Sequence, residues 1–411
     1  MRILHVTQNY YPSVGGSQYA IQKIAEYLYA AYNDEVTVVT TNSYFGPHRY
    51  NFKKIDVPEE ILNGVTIKRF PFLRLHKKPI KLFTRFAGKF LHINFPDFFT
   101  NLQFGPVSIS MRKAIINMPC DVICISSVHY SFASYPAWFK KDADKRPFVI
   151  FGALHLHNNE ISNSYLKRII AADYYIANTE YEKAYLISKK VAEEKIKVIG
   201  VATDILEKAD LTRPMSVLRE KYSVTPGKTI ITFLGRHEIS KGIPTLLKSF
   251  FHLATKHKNI QLIVAGARGG YTPSLEAEAA NNDNILVQTS ITDEQKADIL
   301  RLTDVLVLPS VEESFGVVFL EAWAFEKPVI GANIGAIASL IKDGVDGLLF
   351  SPGDYINLAT KMEALINNED LRKELGQNGH KKFVANYTWD IVASRFRKVY
   401  ELAINKHNKQ I

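Results

Sequence analysis

Two carboxylates and two cations stand where strand ends are expected, and their chemistries are complementary. Ser310-Val311-Glu312-Glu313-Ser314-Phe315-Gly316 follows the apolar run Val305 to Leu308, and Glu321 comes five residues after Gly316. Ionised carboxylates only accept hydrogen bonds, so Glu313 and Glu321 suit neutral hydroxyls, while Glu312 reads as solvent-facing. A phosphate needs positive partners. Gly235-Arg236, closing the run Ile230 to Leu234, and Lys241-Gly242, opening the next helical pattern, supply a planar fork and a point charge. A lysine at a helix start opposes the helix dipole unless an anion is close by, which favours an anion site over two solvated basic residues. The set describes a site for a phosphorylated, hydroxyl-rich molecule.

Such residues need strands that end in a crevice. Short apolar runs alternate with helical patterns along the whole chain, the signature of α/β folds with parallel sheets covered on both faces. Strands are predicted near 2–6, 36–40, 65–70, 121–126, 147–152, 174–177 and 196–199, with helices near 17–31, 106–117, 130–140 and 180–191. The alternation breaks at Gly200 to Asp204, a polar stretch with Pro214, and Pro226-Gly227. It restarts with strands near 229–234, 260–265, 285–288, 305–308, 328–331 and 348–350. Two domains are expected, 1–204 and 205–388, followed by a helical pattern within 389–411. In such folds ligands bind at the carboxyl ends of strands, with helix N-termini facing anions.

With these motifs in place, the chain resembles the family-4 retaining glycosyltransferases, the group 1 glycosyltransferases of GT-B fold. Glu313-Ser314-Phe315-Gly316 with Glu321 is similar to their glutamate–seven–glutamate block, and Gly235-Arg236 with Lys241-Gly242 to their donor-phosphate segment. Gly15-Gly16, Ala177-Asn178-Thr179 with Glu182, Lys327-Pro328-Val329-Ile330, and Gly344 with Asp346-Gly347 also match, in order over most of the chain. Ser314, Trp323 and Ala336 depart from the common pattern without removing a charged contact.

The resemblance implies two Rossmann-like doubly wound domains facing a central cleft, with the last helix crossing back to the acceptor-side first domain. It implies a nucleotide-diphosphate sugar as donor substrate, no separate cofactor and no metal at the donor. Arg236 and Lys241 would stabilise the leaving diphosphate. Glu313 would sit beside the transferred sugar, and Glu321 would bind the ribose. Gly235, Ser314, Phe315, Gly316 and Val317 would line the donor site, and Gly15 and Gly16 would approach its phosphates or lie beside the acceptor. His155 and His157, at i and i+2, leave three readings: a metal pair with Glu160, a core histidine, or the family's cleft histidine, for which His155 is preferred. Two rivals to transfer remain, hydrolysis or phosphorolysis on the same fold and a non-catalytic nucleotide-sugar binder.

Composition adds a location. The 411 residues are 46% hydrophobic and 22% charged, enough for a sizeable core, and no apolar run reaches the length of a membrane span. The N-terminus lacks a secretory pattern. Cys120 and Cys124 read as reduced core thiols, so a cytoplasmic protein is expected. The net charge of +10 sits almost wholly in residues 1–150, where 19 Lys/Arg face 10 Asp/Glu. Lys68, Arg69, Arg74, Lys77, Lys78, Lys81, Arg85 and Lys89, interleaved with phenylalanines, contain no acid among them. That pattern suits an anionic membrane surface better than nucleic acid, with Lys77, Lys78, Lys81 and Arg85 at its centre. A protein held at the inner face of the membrane, acting on a lipid-linked or cell-envelope glycan, is the resulting expectation.

Overall fold

The computed structural model describes residues 1–13, 15–44, 53–72, 82, 86, 108–126, 146–152, 154, 156, 161 and 163–409. Two compact units emerge: residues 1–200 with 392–411, and residues 201–391. His155, His157, Lys77, Lys78, Lys81 and Arg85 lie outside the described residues.

The first unit is built on β1 (Arg2–Val6), β2 (Glu35–Thr41), β3 (Ser43–Tyr44), β4 (Lys53–Lys54), β5 (Glu59–Leu62), β6 (Val65–Phe70), β7 (Val122–Ser126), β8 (Phe148–Phe151), β9 (Tyr174–Ala177) and β10 (Ile196–Val198). Its main sheet runs β10-β9-β8-β7-β1-β2-β6-β5, parallel except for β5. Helices α1 (Gly16–Tyr32), α2 (Ile109–Asn117), α3 (Asn163–Ala171) and α4 (Glu180–Ser188) follow their strands. The strand β5 was not predicted. Glu59 and Glu60 are poor strand formers, yet Asn63 (φ 49°) and Gly64 (φ 81°) make the two-residue turn that folds β5 back on β6. This hairpin corrects the picture of an unopposed basic run: Lys68 pairs with Glu59 at 3.1 Å, and the buried Arg69 guanidinium pairs with Glu60.

The second unit restarts with α5 (Met215–Lys221), β11 (Thr229–Leu234), α6 (Ile243–Ala254), β12 (Ile260–Gly266), α7 (Thr272–Ala280), β13 (Ile285–Thr289) and α8 (Asp293–Leu302). Then come β14 (Val305–Leu308), α9 (Val317–Ala324), β15 (Val329–Ala332), α10 (Gly335–Leu340), β16 (Leu348–Phe350), α11 (Tyr355–Asn367) and α12 (Glu369–Asn386). The sheet order is β13-β12-β11-β14-β15-β16, all parallel. Helices cover both faces, so Ile231 to Leu234, Leu262 to Ala265 and Val305 to Leu308 are buried without alternation. Chain order reverses direction between β11 and β14, and a doubly wound sheet binds its ligands at that switch.

Helix α13 (Trp389–Asn408) ends the chain and packs on the first unit from Val392 onward. Val392, Ala393, Phe396, Val399, Tyr400 and Ala403 form its buried stripe at helical spacing. Phe396 meets Phe151 edge-on at 5.0 Å, the Tyr400 hydroxyl lies 3.0 Å from His5 Nε2, and Arg397 reaches Asp34 at 2.9 Å. Both cysteines are buried and unbridged.

One buried acid in the first unit has a measurable consequence. Glu182, in the first turn of α4, accepts from Asn178 N at 2.8 Å, Leu154 N at 3.3 Å and the Tyr175 hydroxyl. Burial pushes its carboxyl up to about 7, although those hydrogen bonds pull the other way. The folded state therefore keeps a proton that the unfolded chain releases above its ordinary value near 4.5. Stability from this group is full below that value and falls as pH rises toward 7. Glu182→Gln is expected to flatten the stability–pH curve between pH 4.5 and 7, measured by urea unfolding at several pH values. Parallel curves for wild type and variant would refute the assignment.

Candidate active site in the second unit

The loops leaving β11 and β14, neighbours across the switch point, are joined directly. Val311 N donates to Ser240 O at 3.0 Å, and the Ser310 hydroxyl lies 3.4 Å from the same carbonyl oxygen. Between β11 and α6 the chain makes a 3₁₀ turn, Ile239–Lys241, that ends on Gly242. Gly242 has φ 76°, and a Cβ there would lie 1.9 Å from Pro309 O. Close contact between the two loops thus demands glycine, and it delivers Lys241 to the β14 loop. Lys241 Nζ sits 2.6 Å from Glu313 Oε1 and 3.2 Å from Glu312 O.

The anion that the sequence required near Lys241 is therefore Glu313. Lys241 at a helix start thus has a counter-charge within the protein, and its position does not by itself demand a bound phosphate. Arg236, one residue beyond Gly235, is exposed, and its guanidinium has no hydrogen bond or ion pair among the described residues. The site so holds one paired cation and one unpaired.

Helix α9 begins next to this pair. Its N-cap is Gly316, with φ 91°, no side-chain cap and no acidic residue in the first turn. Phe319 N already donates to Gly316 O at 3.0 Å, so the N–H groups of Val317 and Val318 are those left for an external acceptor. Ser314 and Val317 are half-buried at this opening. Phe315 turns into the core, 3% exposed and edge-on to Tyr387 at 5.7 Å, so only its backbone is left for a ligand. Glu321 lies one turn further in, only 5% exposed, with Lys296 Nζ at 2.6 Å from Oε1.

Sequence reasoning missed Lys296 and His237. Lys296 lies in the opening turns of α8, 25 residues from its partner, and a cation at a helix N-terminus was the available signal. His237 is fully buried after Arg236, with Nδ1 3.4 Å from Thr272 Oγ1. Burial, then the nearby Arg268 charge, pushes its pKa down and keeps the ring neutral. Its backbone carbonyl accepts from Tyr271 N at 2.9 Å, tying the loop after β12 to the Arg236 segment.

Gly15 and Gly16 open α1 in the first unit, again without a side-chain cap or first-turn acid. Gly15 is extended, and a Cβ on Gly16 would meet nothing within 4 Å. No backbone constraint explains this pair. Among the described residues no group of three or more His, Cys, Asp or Glu side chains could hold a metal ion, and no helix is long and apolar enough to cross a membrane.

Two parallel-sheet α/β units of this kind define the GT-B class of glycosyltransferase folds. Residues 215–382 match the family model described as glycosyl transferases group 1. It is 30% identical over 233 residues to a capsular polysaccharide biosynthesis glycosyltransferase of Staphylococcus aureus, covering 55% of this chain and 60% of that protein. An uncharacterised glycosyltransferase of Methanocaldococcus jannaschii is 25% identical over 98% of this chain and 99% of its own. A phosphatidyl-myo-inositol mannosyltransferase of Mycobacterium leprae is 33% identical over 44% of this chain and 49% of its length. Two solved structures share the fold at 18% identity and a TM-score of 0.72. They are a sucrose-phosphate synthase from Thermosynechococcus elongatus, covering 99% of this chain and all of that one, and Anabaena HepE in complex with UDP, covering 98% and 100%.

The loop contact gives a direct prediction. Gly242→Ala combines a left-handed backbone with a collision against Pro309 O, and each such strain costs about 1–3 kcal/mol. The variant is expected to lose at least about 2 kcal/mol of stability. A loss below about 0.5 kcal/mol in denaturant melts would mean that the loops part easily.

Proposed function

We propose that this chain transfers a sugar from a nucleoside-diphosphate sugar to an acceptor hydroxyl, retaining anomeric configuration and needing no divalent cation to hold the donor. The observation that carries the reading is the uncapped start of α9 beside the Lys241–Glu313 pair, with Arg236 unpaired among the described residues, all at the switch point of one parallel sheet. A diphosphate gains negative charge as the sugar–oxygen bond breaks. Arg236 and Lys241, with the α9 N–H groups, would stabilise that charge more in the transition state than in the ground state.

Glu313, drawn to Lys241, would orient sugar hydroxyls, and Glu321 would accept from the ribose. No side chain among those gathered here is set aside as a nucleophile with its own base. The reaction is accordingly written as front-side attack, in which the leaving phosphate takes the acceptor's proton. Gly15 and Gly16 are proposed to approach the donor phosphates or lie beside the acceptor, and His155 or His157 to serve beside the transferred sugar. UDP-sugars are the first donors to try, since the fold is shared with a UDP-bound protein.

Arg236→Ala and Lys241→Ala are each expected to lower turnover about a hundredfold, the scale of losing one charge-stabilising donor. Activity of the wild type should persist in excess chelator. Near-normal turnover in either variant would remove that residue from the mechanism, and chelator-dependent loss restored by Mg²⁺ would return the donor site to a metal. Sugar released without any acceptor would make the enzyme a hydrolase.

The acceptor is proposed to be lipid-borne or part of a cell-envelope glycan, reached through an anionic membrane surface. Support comes from the +9 balance of residues 1–150, although Lys68 and Arg69 are already paired with acids. Attraction of this kind fades with salt, because the Debye length falls to about 3 Å at 1 M. Wild type should float with anionic vesicles at low salt. A variant with Lys77, Lys78, Lys81 and Arg85 changed to Gln should not. Equal flotation of the two, or none, would favour a soluble acceptor.

A further inference from the structure

Glu321 is a buried acid with one oxygen engaged and one idle. Oε1 lies 2.6 Å from Lys296 Nζ, and Oε2 is buried with no partner among the described residues. Lys296 itself reaches Asp293 at 3.1 Å on the exposed edge of α8. Burial alone would push the ammonium down, but Glu321 and Asp293 outweigh it and leave its pKa above the ordinary value. It stays charged against the dipole of its own helix, whose start is already closed by the Thr292–Gln295 capping box. The pair joins α8, which follows β13, to α9, which follows β14. Two acids are thereby served by one cation, while the buried oxygen that would be hardest to leave unmet is left unmet.

That arrangement has a use in recognition. A carboxylate free to rotate can offer either oxygen, or turn away, and its selectivity is diluted. A carboxylate pinned at Oε1 presents Oε2 in one direction. The idle oxygen accepts and never donates, so its complement is a hydroxyl. We propose that Lys296 is a positioning residue of the donor site, fixing Glu321 so that Oε2 receives the vicinal hydroxyls of the nucleotide's ribose. The proposal rests on the reading that the donor's ribose lies against Glu321. Lys296 touches no substrate in it and acts through the carboxylate alone.

The signature of such a role is selectivity, because a site built to bond a hydroxyl leaves a buried acceptor unpaired when the hydroxyl is missing. Wild type is first titrated with UDP, GDP and ADP by calorimetry, and the tightest binder is compared with its 2′,3′-dideoxy counterpart. We expect at least a tenfold preference for the ribose form. In Lys296→Met the ribose form should weaken until the preference is threefold or less, with the dideoxy affinity unchanged. Lys296→Arg should restore most of the preference. Asp293→Asn, which leaves the Glu321 bond in place, should keep it. Lys296→Gln replaces Lys296→Met if the latter does not fold, with the same expected loss. A Lys296→Met protein that keeps the wild-type preference overturns the proposal, as does one that weakens both nucleotides equally, since that is loss of structure rather than of positioning. Wild type that binds a nucleoside diphosphate without any ribose preference also overturns it while leaving the donor class intact. Wild type that binds none of the three overturns the donor reading itself, and this proposal with it.

Discussion

The ion pair between Lys241 and Glu313 is the constraint around which the second unit's candidate site is arranged. Its partners are separated by 72 residues and come from the loops of two strands that lie side by side only because chain order reverses there. Backbone contact between Val311 and Ser240, and the glycine that lets the turn press against Pro309, bring the loops close enough for the pair to form. Because lysine and glutamate are only partly exposed, each would be costly to leave alone, and each fixes the other. The start of α9 inherits its position from this arrangement, being three residues further along the same loop.

The same logic recurs deeper in the site, where Glu321 is held by Lys296. Both acids of the site thus have lysine partners, whereas the Arg236 guanidinium has none among the described residues. His237, kept neutral by burial and by Arg268, adds no second free charge. In the proposed reaction an incoming diphosphate would therefore meet an arginine that no carboxylate among the described residues competes for. Lys241, already paired with Glu313, would in that reaction be shared between its carboxylate partner and a phosphate oxygen. In the proposed reaction this division would give the two cations different tasks on one leaving group.

Much of this was readable in the sequence because parallel strands buried on both faces leave unbroken apolar runs. Thr229–Leu234, Val305–Leu308 and Leu348–Phe350 fall where the runs predicted them, and Val65–Phe70 does so in the first unit. Motif residues were legible for a related reason: glycine at a positive φ and charged residues beside apolar runs are conspicuous locally. What stayed hidden was pairing across long separations. Nothing local to Lys296 names Glu321 as its partner, and nothing local to Lys241 reveals that its counter-charge is supplied by the protein. The hairpin strand β5 was missed for the opposite reason. Its signal, Asn63-Gly64, was local, but two glutamates masked the strand it created.

That hairpin also bears on how the molecule behaves in crowded solution. A parallel sheet that stopped at β6 would offer a row of open backbone groups on a six-residue strand with Val65 and Ile67 already buried beneath it. Instead the margin is a four-residue strand bearing Glu59 and Glu60, and at the opposite margin β10 is only three residues long. Short, charged margins are poor templates for the edge of another sheet. The acids that neutralise Lys68 and Arg69 thus also make this side of the protein unreceptive to intermolecular strand addition, so its apolar sheet can remain buried without inviting self-association.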